Sequence, residues 1–525
     1  MTGAPAPDDA SRSHITNQAK RNMKRAHLTI DPHFVVGPVS RRLFGSFVEH
    51  LGRCVYDGIY EPGHPNADDE GYRADVIELV RELGVSTIRY PGGNFVSGYR
   101  WEDGVGPREE RPRRLDLAWH STETNEVGLD EFASWLRKVD SDLMYAVNLG
   151  TRGVQDALDV LEYANIRSGT ALSDRRVANG AAEPHDIRMW CLGNEMDGPW
   201  QLGHGTAEDY AQLASKTARA MRQVDPDLEL VVCGSSSAHM PTFGEWERVV
   251  LEQTYDDVDY ISCHAYYEPK NGDYASFLAS AVDMDRFIDS VAATADHVKA
   301  VRGSDKTMYI SFDEWNVWYQ SRYNEVDRIT GVHEWPVAPR LLEDAYSVID
   351  AVVFGSLLIS LIRHADRVTS ASLAQLVNVI APIMTEPGGA AWRQTTFFPF
   401  SVTSALARGV TLELKLDCPT ARTELYGEVP LVDAVATHDT ETGDTAVFLV
   451  NRSMDEEVSI DIDTSILGEV SIGSFRTLYD DDIHAVNTLI AQDRVSLRDN
   501  DSARVGDGVV TVTLPPVSWS ALTLA

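Results

Sequence analysis

The sequence predicts a (β/α)8 barrel, α/β in class, followed by an all-β sandwich. Three observations predict it. Eight short apolar runs separated by helix-like stretches fill residues 43–386. Two of those runs lead into a glutamate, Glu195 and Glu314. Beyond residue 387 the helical period stops and alternating, β-branched runs take over. A chain of 525 residues exceeds what one core supports, so at least two domains are expected.

Residues 1–25 are rich in Ala, Pro, Ser and Asp and show no periodicity, so they read as a disordered tail. Lys20, Arg21, Lys24 and Arg25 are not followed by an apolar segment, which argues against a secretory signal. Within residues 26–42 a strand-like run lacks a barrel partner and is expected to join the sandwich. The eight barrel strands are predicted at 43–48, 86–90, 143–149, 187–192, 228–233, 260–264, 307–312 and 368–373. Amphipathic stretches at 73–83, 129–139, 207–224 and 284–301 supply crossover helices. The longest apolar stretch, 351–362, is too short to cross a bilayer and reads as the core face of a helix. Over 387–525, the runs 410–416, 445–450, 458–462 and 509–514 are separated by Asp/Gly/Asn turns, as in a β-sandwich.

Composition narrows the partners. Lys and Arg number 46 against 80 Asp and Glu, a net charge of −34. So acidic a surface repels phosphate backbones, and nucleic acid is not an expected partner. No membrane partner is expected either. The five cysteines form no CxxC pair, and three lie in apolar runs where a thiol acts as a small hydrophobe. That usage fits a reducing, cytoplasmic setting.

The chemistry is expected where the strands end, because barrel enzymes build their sites at the carboxyl ends of the strands. Strand one leads to Glu49 and His50. Strand two gives Arg89 and then Pro91-Gly92-Gly93-Asn94, strand three Asn148, and strand four Asn194-Glu195. Strand five runs into Ser235-Ser236-Ser237, and strand six gives His264, Tyr266 and Tyr267. Strand seven gives Glu314, with Gln375 after strand eight. One such residue could be a simple cap; eight polar ends on one face make a site. Two carboxyl groups about 5 Å apart cleave a glycosidic bond with retention, one as nucleophile and one as acid, then base. Asn194 is placed to bond a sugar 2-hydroxyl, and Arg89 to keep the nucleophile ionised. A metal is not expected, since no HxH or HExxH spacing occurs. Gly92-Gly93 is a turn, not a phosphate cradle. Trp101, Trp119, Trp315 and Trp318 are either core or sugar-stacking platforms.

At these residues the chain resembles the family-51 glycoside hydrolases, the intracellular α-L-arabinofuranosidases. The matching segments run in the family's order over residues 40–390. They are FGSFVEHLGRC from Phe44, IRYPGGN from Ile88, LAWHSTETNE from Leu117, CLGNEM from Cys191, HAYY from His264, DEWNVW from Asp313 and LAQLVNVIAPI from Leu373. The resemblance implies that Glu195 is the acid/base and Glu314 the nucleophile. It implies that Glu49, Asn94, Asn194, Tyr266 and Gln375 hold a terminal arabinofuranose, with Arg89 and His264 supporting the carboxylates. Trp119 and Trp318 would shape the pocket and the leaving-group side. No cofactor is implied. The implied substrates are arabinofuranosyl oligosaccharides, and the implied assembly is a homo-oligomer, a hexamer. The long N-terminal tail and the stretch 323–340 depart from the family pattern, so linkage preference stays open. An endo-β-glucanase or β-xylosidase using the same two carboxylates is the alternative. A non-catalytic sugar-binding protein would have lost one of them.

Overall fold

The computed structural model describes residues 23–525. Most of the expected tail, residues 1–22, lies outside the described residues. Its last two positions do not belong to a tail: strand β1 (Lys24–Thr29) begins there.

The barrel is closed and all parallel. Its strands in chain order are β3 (Gly45–Phe47), β4 (Thr87–Tyr90), β5 (Asp142–Ala146), β6 (Met189–Leu192), β7 (Glu229–Val232), β8 (Tyr260–Tyr267), β9 (Tyr309–Val317) and β10 (Val368–Ala374). Each pairs with its neighbours in sequence, and β10 closes on β3. Parallel strands are covered on both faces, which is why they read as unbroken apolar runs. Helix α1 (Ala74–Leu83) precedes β4, and helix α2 (Leu129–Val139) lies between β4 and β5. In α2, Leu129, Phe132, Trp135, Leu136 and Val139 form one buried stripe at helical spacing. Glu131 caps it by accepting the Gly128 N–H at 3.0 Å. Helix α3 (Ala207–Val224) starts at Thr206, whose hydroxyl accepts the Asp209 N–H. Helix α4 (Ala281–Arg302) precedes β9.

Strands β8 and β9 differ from expectation in length. Both run on past the predicted ends, to Tyr267 and Val317. Polar residues inside them read as strand ends, yet the apolar neighbours Trp315 and Val317 continue the ladder. A register shift accompanies this. Ser262 pairs with Ser311 but His264 pairs with Glu314, and on the other edge Phe312 and Trp315 oppose Ala371 and Leu373. Strand β9 therefore carries one extra residue at Asp313–Glu314. A bulge re-aims side chains, and here both consecutive carboxylates reach the Arg89 side chain.

The helical layer continues past residue 386, contrary to the predicted loss of helix there. Phe397–Leu406 forms a helix, α6, packed on α1 and on helix α5 (Val348–Arg363). Its sequence, FFPFSVTSAL, is apolar almost all round, so it carries no amphipathic signal.

The sandwich has two sheets. One orders β12 (Lys415–Asp417), β1, β15 (Val458–Asp463), β19 (Val509–Leu514) and β18 (Arg504–Gly506). The other orders β2 (Val35–Pro38), β11 (Val410–Leu412), β13 (Val432–His438), β14 (Thr445–Asn451), β20 (Ser518–Leu524), β16 (Ile472–Leu478) and β17 (Leu497–Asp499). The N-terminal strands thus lie in the sandwich sheets. The seven-stranded sheet is buried on both faces. Val447, Leu449 and Leu522 face the sandwich interior, while Phe448, Val450, Trp519 and Ala521 belong to the barrel's core. Helix α5 lies between, with every residue from Val348 to Ile362 buried. Gly355 is where the helix meets the sheet. A Cβ there would sit 2.2 Å from Trp519 Cδ1.

That contact is testable. Gly355→Val forces the Trp519 indole out of its site and is expected to cost about 1–3 kcal/mol by overpacking. Gly63→Ala, where nothing lies within 4 Å, is the control. Thermal unfolding followed by tryptophan fluorescence should show a lowered midpoint for the first variant only; equal midpoints would refute the docking role.

Candidate active site

The eleven residues picked from the sequence converge on the carboxyl end of the barrel. Glu314 is the centre. Arg89 Nη1 donates to its Oε1 at 2.9 Å, and the Tyr266 hydroxyl donates to its Oε2 at 2.6 Å. Arg89 Nη2 donates to Asn194 Oδ1 at 2.6 Å, and Asn194 Nδ2 lies 3.4 Å from Asn94 Oδ1. Beneath, Asp313 accepts from the Ser311 hydroxyl and lies 3.8 Å from Arg89 Nε. Arg89 thus ties the end of its own strand, β4, to the ends of β6 and β9.

Glu195 faces Glu314 across His264. Its Oε1 is 2.9 Å from His264 Nδ1, which is 3.7 Å from Glu314 Oε2. One oxygen of each glutamate and a nitrogen of His264 all lie within 4.8 Å of one another. Glu195 has φ +43, a left-handed conformation that L side chains rarely adopt, and it follows Gly193 at φ +93. Such a backbone costs about 1–3 kcal/mol and persists only where the surroundings impose it. The Trp200 indole imposes part of it by donating to Glu195 Oε2 at 2.7 Å.

Glu49 lines the third side. Its Oε1 accepts from the Phe95 N–H and the Trp119 indole, both at 2.8 Å. Its Oε2 lies 3.3 Å from Gln375 Nε2, and its own N–H donates to Gln375 Oε1. Gly93 fits between the two carboxylates. A Cβ there would stand 3.2 Å from Glu314 Oε1 and 3.3 Å from Glu49 Oε2. Trp318 packs edge-on against Tyr266, 5.0 Å between centroids.

Two family models match this architecture: the alpha-L-arabinofuranosidase 1 domain over residues 79–289, and the alpha-L-arabinofuranosidase C-terminal domain over residues 313–518. An exo-α-(1→6)-L-arabinofuranosidase of Bifidobacterium longum is 60% identical over 518 residues, spanning 97% of this chain and 99% of its own. An intracellular exo-α-(1→5)-L-arabinofuranosidase of Streptomyces lividans is 59% identical, spanning 96% and 76%. The solved structure of a family 51 α-L-arabinofuranosidase from Bifidobacterium longum matches with a TM-score of 0.92 at 50% identity, covering 96% of this chain and all of that one. The chain belongs to the family-51 α-L-arabinofuranosidases. It is a glycoside hydrolase.

In this family-51 chain the electrostatics separate the carboxyl groups. Burial would raise Glu314, but the charges of His264 and Arg89 and the Tyr266 hydrogen bond outweigh it and hold Glu314 below the usual carboxylate range. Burial lowers His264, yet Glu314 and Glu195 together raise it. Glu49 moves the other way. Its burial, reinforced by the charges of Glu314 and Asp116, pushes it up to about 8 despite the Phe95 and Trp119 hydrogen bonds.

Glu195, His264 and Glu314 offer three donor atoms of the kind that hold a metal ion. Their atoms are already engaged, and the Arg89 guanidinium supplies the positive charge next to Glu314. A cation there would have to displace those contacts and sit beside a fixed cation.

Trp101 and Trp315 are core, packing on Tyr163 and Phe354 rather than facing the site. Trp200 was not legible as a site residue. Five positions after Glu195 in an irregular loop, it follows no helical or strand period. Tyr323 was missed likewise. Its ring lies 5.9 Å from Trp119 and 6.0 Å from Trp318.

The raised Glu49 carries a stability signature. The folded chain keeps its proton up to about pH 8 while the unfolded chain releases it near 4.5. Where the folded state binds more protons, stability falls as pH rises. Glu49→Gln cannot titrate, so its stability relative to wild type should grow between pH 5 and 8 and then level off. Denaturant titrations at five pH values check this; a pH-independent difference would mean Glu49 is ionised in the folded enzyme.

Proposed function

We propose that this chain is a retaining, exo-acting α-L-arabinofuranosidase that removes terminal α-L-arabinofuranosyl residues from arabinan, arabinoxylan or derived oligosaccharides. The observation that carries the reading is the approach of Glu195 and Glu314 oxygens within 4.8 Å. That separation suits direct attack by a carboxylate; inversion needs about 6.5–9.5 Å to admit a water between carboxylate and sugar.

Glu314, held ionised by its cationic neighbours, is the nucleophile. It bonds to the anomeric carbon as Glu195 passes a proton to the departing oxygen. Its negative charge is consumed in the ester. Glu195 then takes a proton from water, which releases the sugar and restores Glu314. His264 bonds to Glu195 and, by its proximity to Glu314, senses both half-reactions. Asn194 has its carbonyl oxygen tied to Arg89, which turns its amide N–H toward the sugar's 2-hydroxyl, where bonds strengthen in the transition state. Glu49, Asn94, Gln375 and Trp119 hold the terminal furanose, and Tyr266 and Trp318 complete the wall. No step requires a metal or cofactor. Relatives of nearly equal identity bear names with (1→6) and (1→5) linkages, so overall similarity does not choose between them. The intracellular names of several relatives and the five free cysteines support a reducing, intracellular setting.

Glu314→Ala should lose turnover on 4-nitrophenyl α-L-arabinofuranoside, with azide restoring it and giving inverted product. Glu195→Ala should retain a burst on that activated substrate, yet fall roughly 10²–10⁴-fold on unactivated disaccharides. Wild-type preference for the matching β-D-xyloside or β-D-glucoside, or full activity of Glu314→Ala, would sink the reading.

Assembly as a non-covalent hexamer is part of the proposal. With −34 per chain, six copies repel, so the contacts must be apolar or locally charge-matched. Light scattering under reducing conditions should give a multiple of 58.1 kDa, and one chain's mass at every dilution would exclude it.

A further inference from the structure

The segment after β9 is the part of the chain that the mechanism above leaves unused. It leaves the barrel at Trp318, makes one helical turn over Gln320–Arg322 and a wider turn over Tyr323–Asp327, and then crosses the mouth of the barrel. Both ends are anchored. Near its start, Ser321 donates to Glu268, and the Tyr319 N–H donates to Asp344 Oδ2 at 2.9 Å. Further on, Trp335 stacks on His120 at 3.8 Å, and His120 Nε2 lies 2.8 Å from Gly331 O. Thr122 donates twice to this segment, from its hydroxyl to Trp335 O and from its N–H to Pro336 O. The segment is therefore latched onto the hairpin that carries Trp119 at its turn.

This latch puts Tyr323 between the two tryptophans at the rim. Its ring meets Trp119 edge-on on one side and Trp318 at a tilt on the other. Trp119 holds Glu49; Trp318 packs on Tyr266, which holds Glu314. The aromatic arc Trp119–Tyr323–Trp318 thus runs from one wall of the furanose pocket to the other. The ring meets the same Trp119 indole that donates to Glu49 Oε1, which places it over the Glu49 end.

We propose that Tyr323 is a specificity-determining residue: it roofs the Glu49 end of the pocket and makes the pocket blind, so that only a terminal, unsubstituted arabinofuranose fits. The inference rests on the arabinofuranosidase reading and explains its exo action. An internal residue of a chain carries a second glycosidic bond and needs a channel open at both ends. The arc closes one of them with three rings that support each other. Shape exclusion of this kind acts on any substituent of the terminal sugar, not on the leaving group.

The test uses aryl arabinofuranosides whose terminal sugar is free or singly O-methylated at O-3 or O-5, with wild type, Tyr323→Phe and Tyr323→Ala. Wild type should discriminate against at least one methylated substrate by 100-fold or more in kcat/KM. Tyr323→Phe keeps the ring and should keep that ratio. Tyr323→Ala should shrink it at least tenfold, whatever the change on the free sugar, because the lost ring opens room for the methyl group. A ratio that does not move in Tyr323→Ala overturns the inference. So does an equal loss on free and methylated substrates, which would mark the ring as mere support for Trp119. A wild type inactive on the free arabinofuranoside would instead sink the function reading itself.

Discussion

The site depends on one buried cation. Arg89 is 1% exposed, a placement that is costly unless its charge is matched. It is matched by Glu314 and Asp313 from β9, and one guanidinium nitrogen is spent on Asn194 at the end of β6. Three strand ends are thereby fixed relative to each other by a rigid planar fork. Removing the guanidinium would leave two carboxylates buried with less compensation, typically worth 3–5 kcal/mol. The same fork holds Glu314 ionised while Glu49, without a cationic partner among the described residues, is driven toward its neutral form. One arginine thus differentiates carboxyl groups that composition alone would treat as alike.

Around that cation the charges form a series. Asp313 below is pushed up by burial, Glu314 is pulled down, and His264 is raised by the two glutamates it lies between. His264 and Glu314 stand directly opposite each other on β8 and β9, so their separation is set by strand register. The extra residue in β9 does this work: without it, Asp313 and Glu314 would point to opposite faces of the strand.

The barrel was legible because parallel strands buried on both faces leave unbroken apolar runs, and all eight lie where those runs are. Arg89, Asn194, Glu195, His264 and Glu314 could be read because each follows or interrupts such a run. The bulge was not legible, since Phe312-Asp313-Glu314-Trp315 looks like a strand that stops. Helix α6 was hidden for the opposite reason: Phe397–Leu406 has no polar face to show a period. Trp200 reaches the site from an irregular loop and Tyr323 from a single wide helical turn, too short for periodicity or spacing to record direction. Tertiary contacts alone bring them in.

Helix α5 and the sheet it rests on blur the line between the two halves. The helix has no solvent face, and the seven-stranded sheet has no free one. A barrel severed from its sandwich would present a stripe of Val, Phe, Leu and Ile to water, a strong invitation to aggregate. Strands β1 and β2 are hydrogen-bonded to β15 and β11, so the sandwich closes only across the whole barrel sequence that lies between them. Such a chain is expected to mature in one late cooperative step, and its halves are poor candidates for exchange as independent modules.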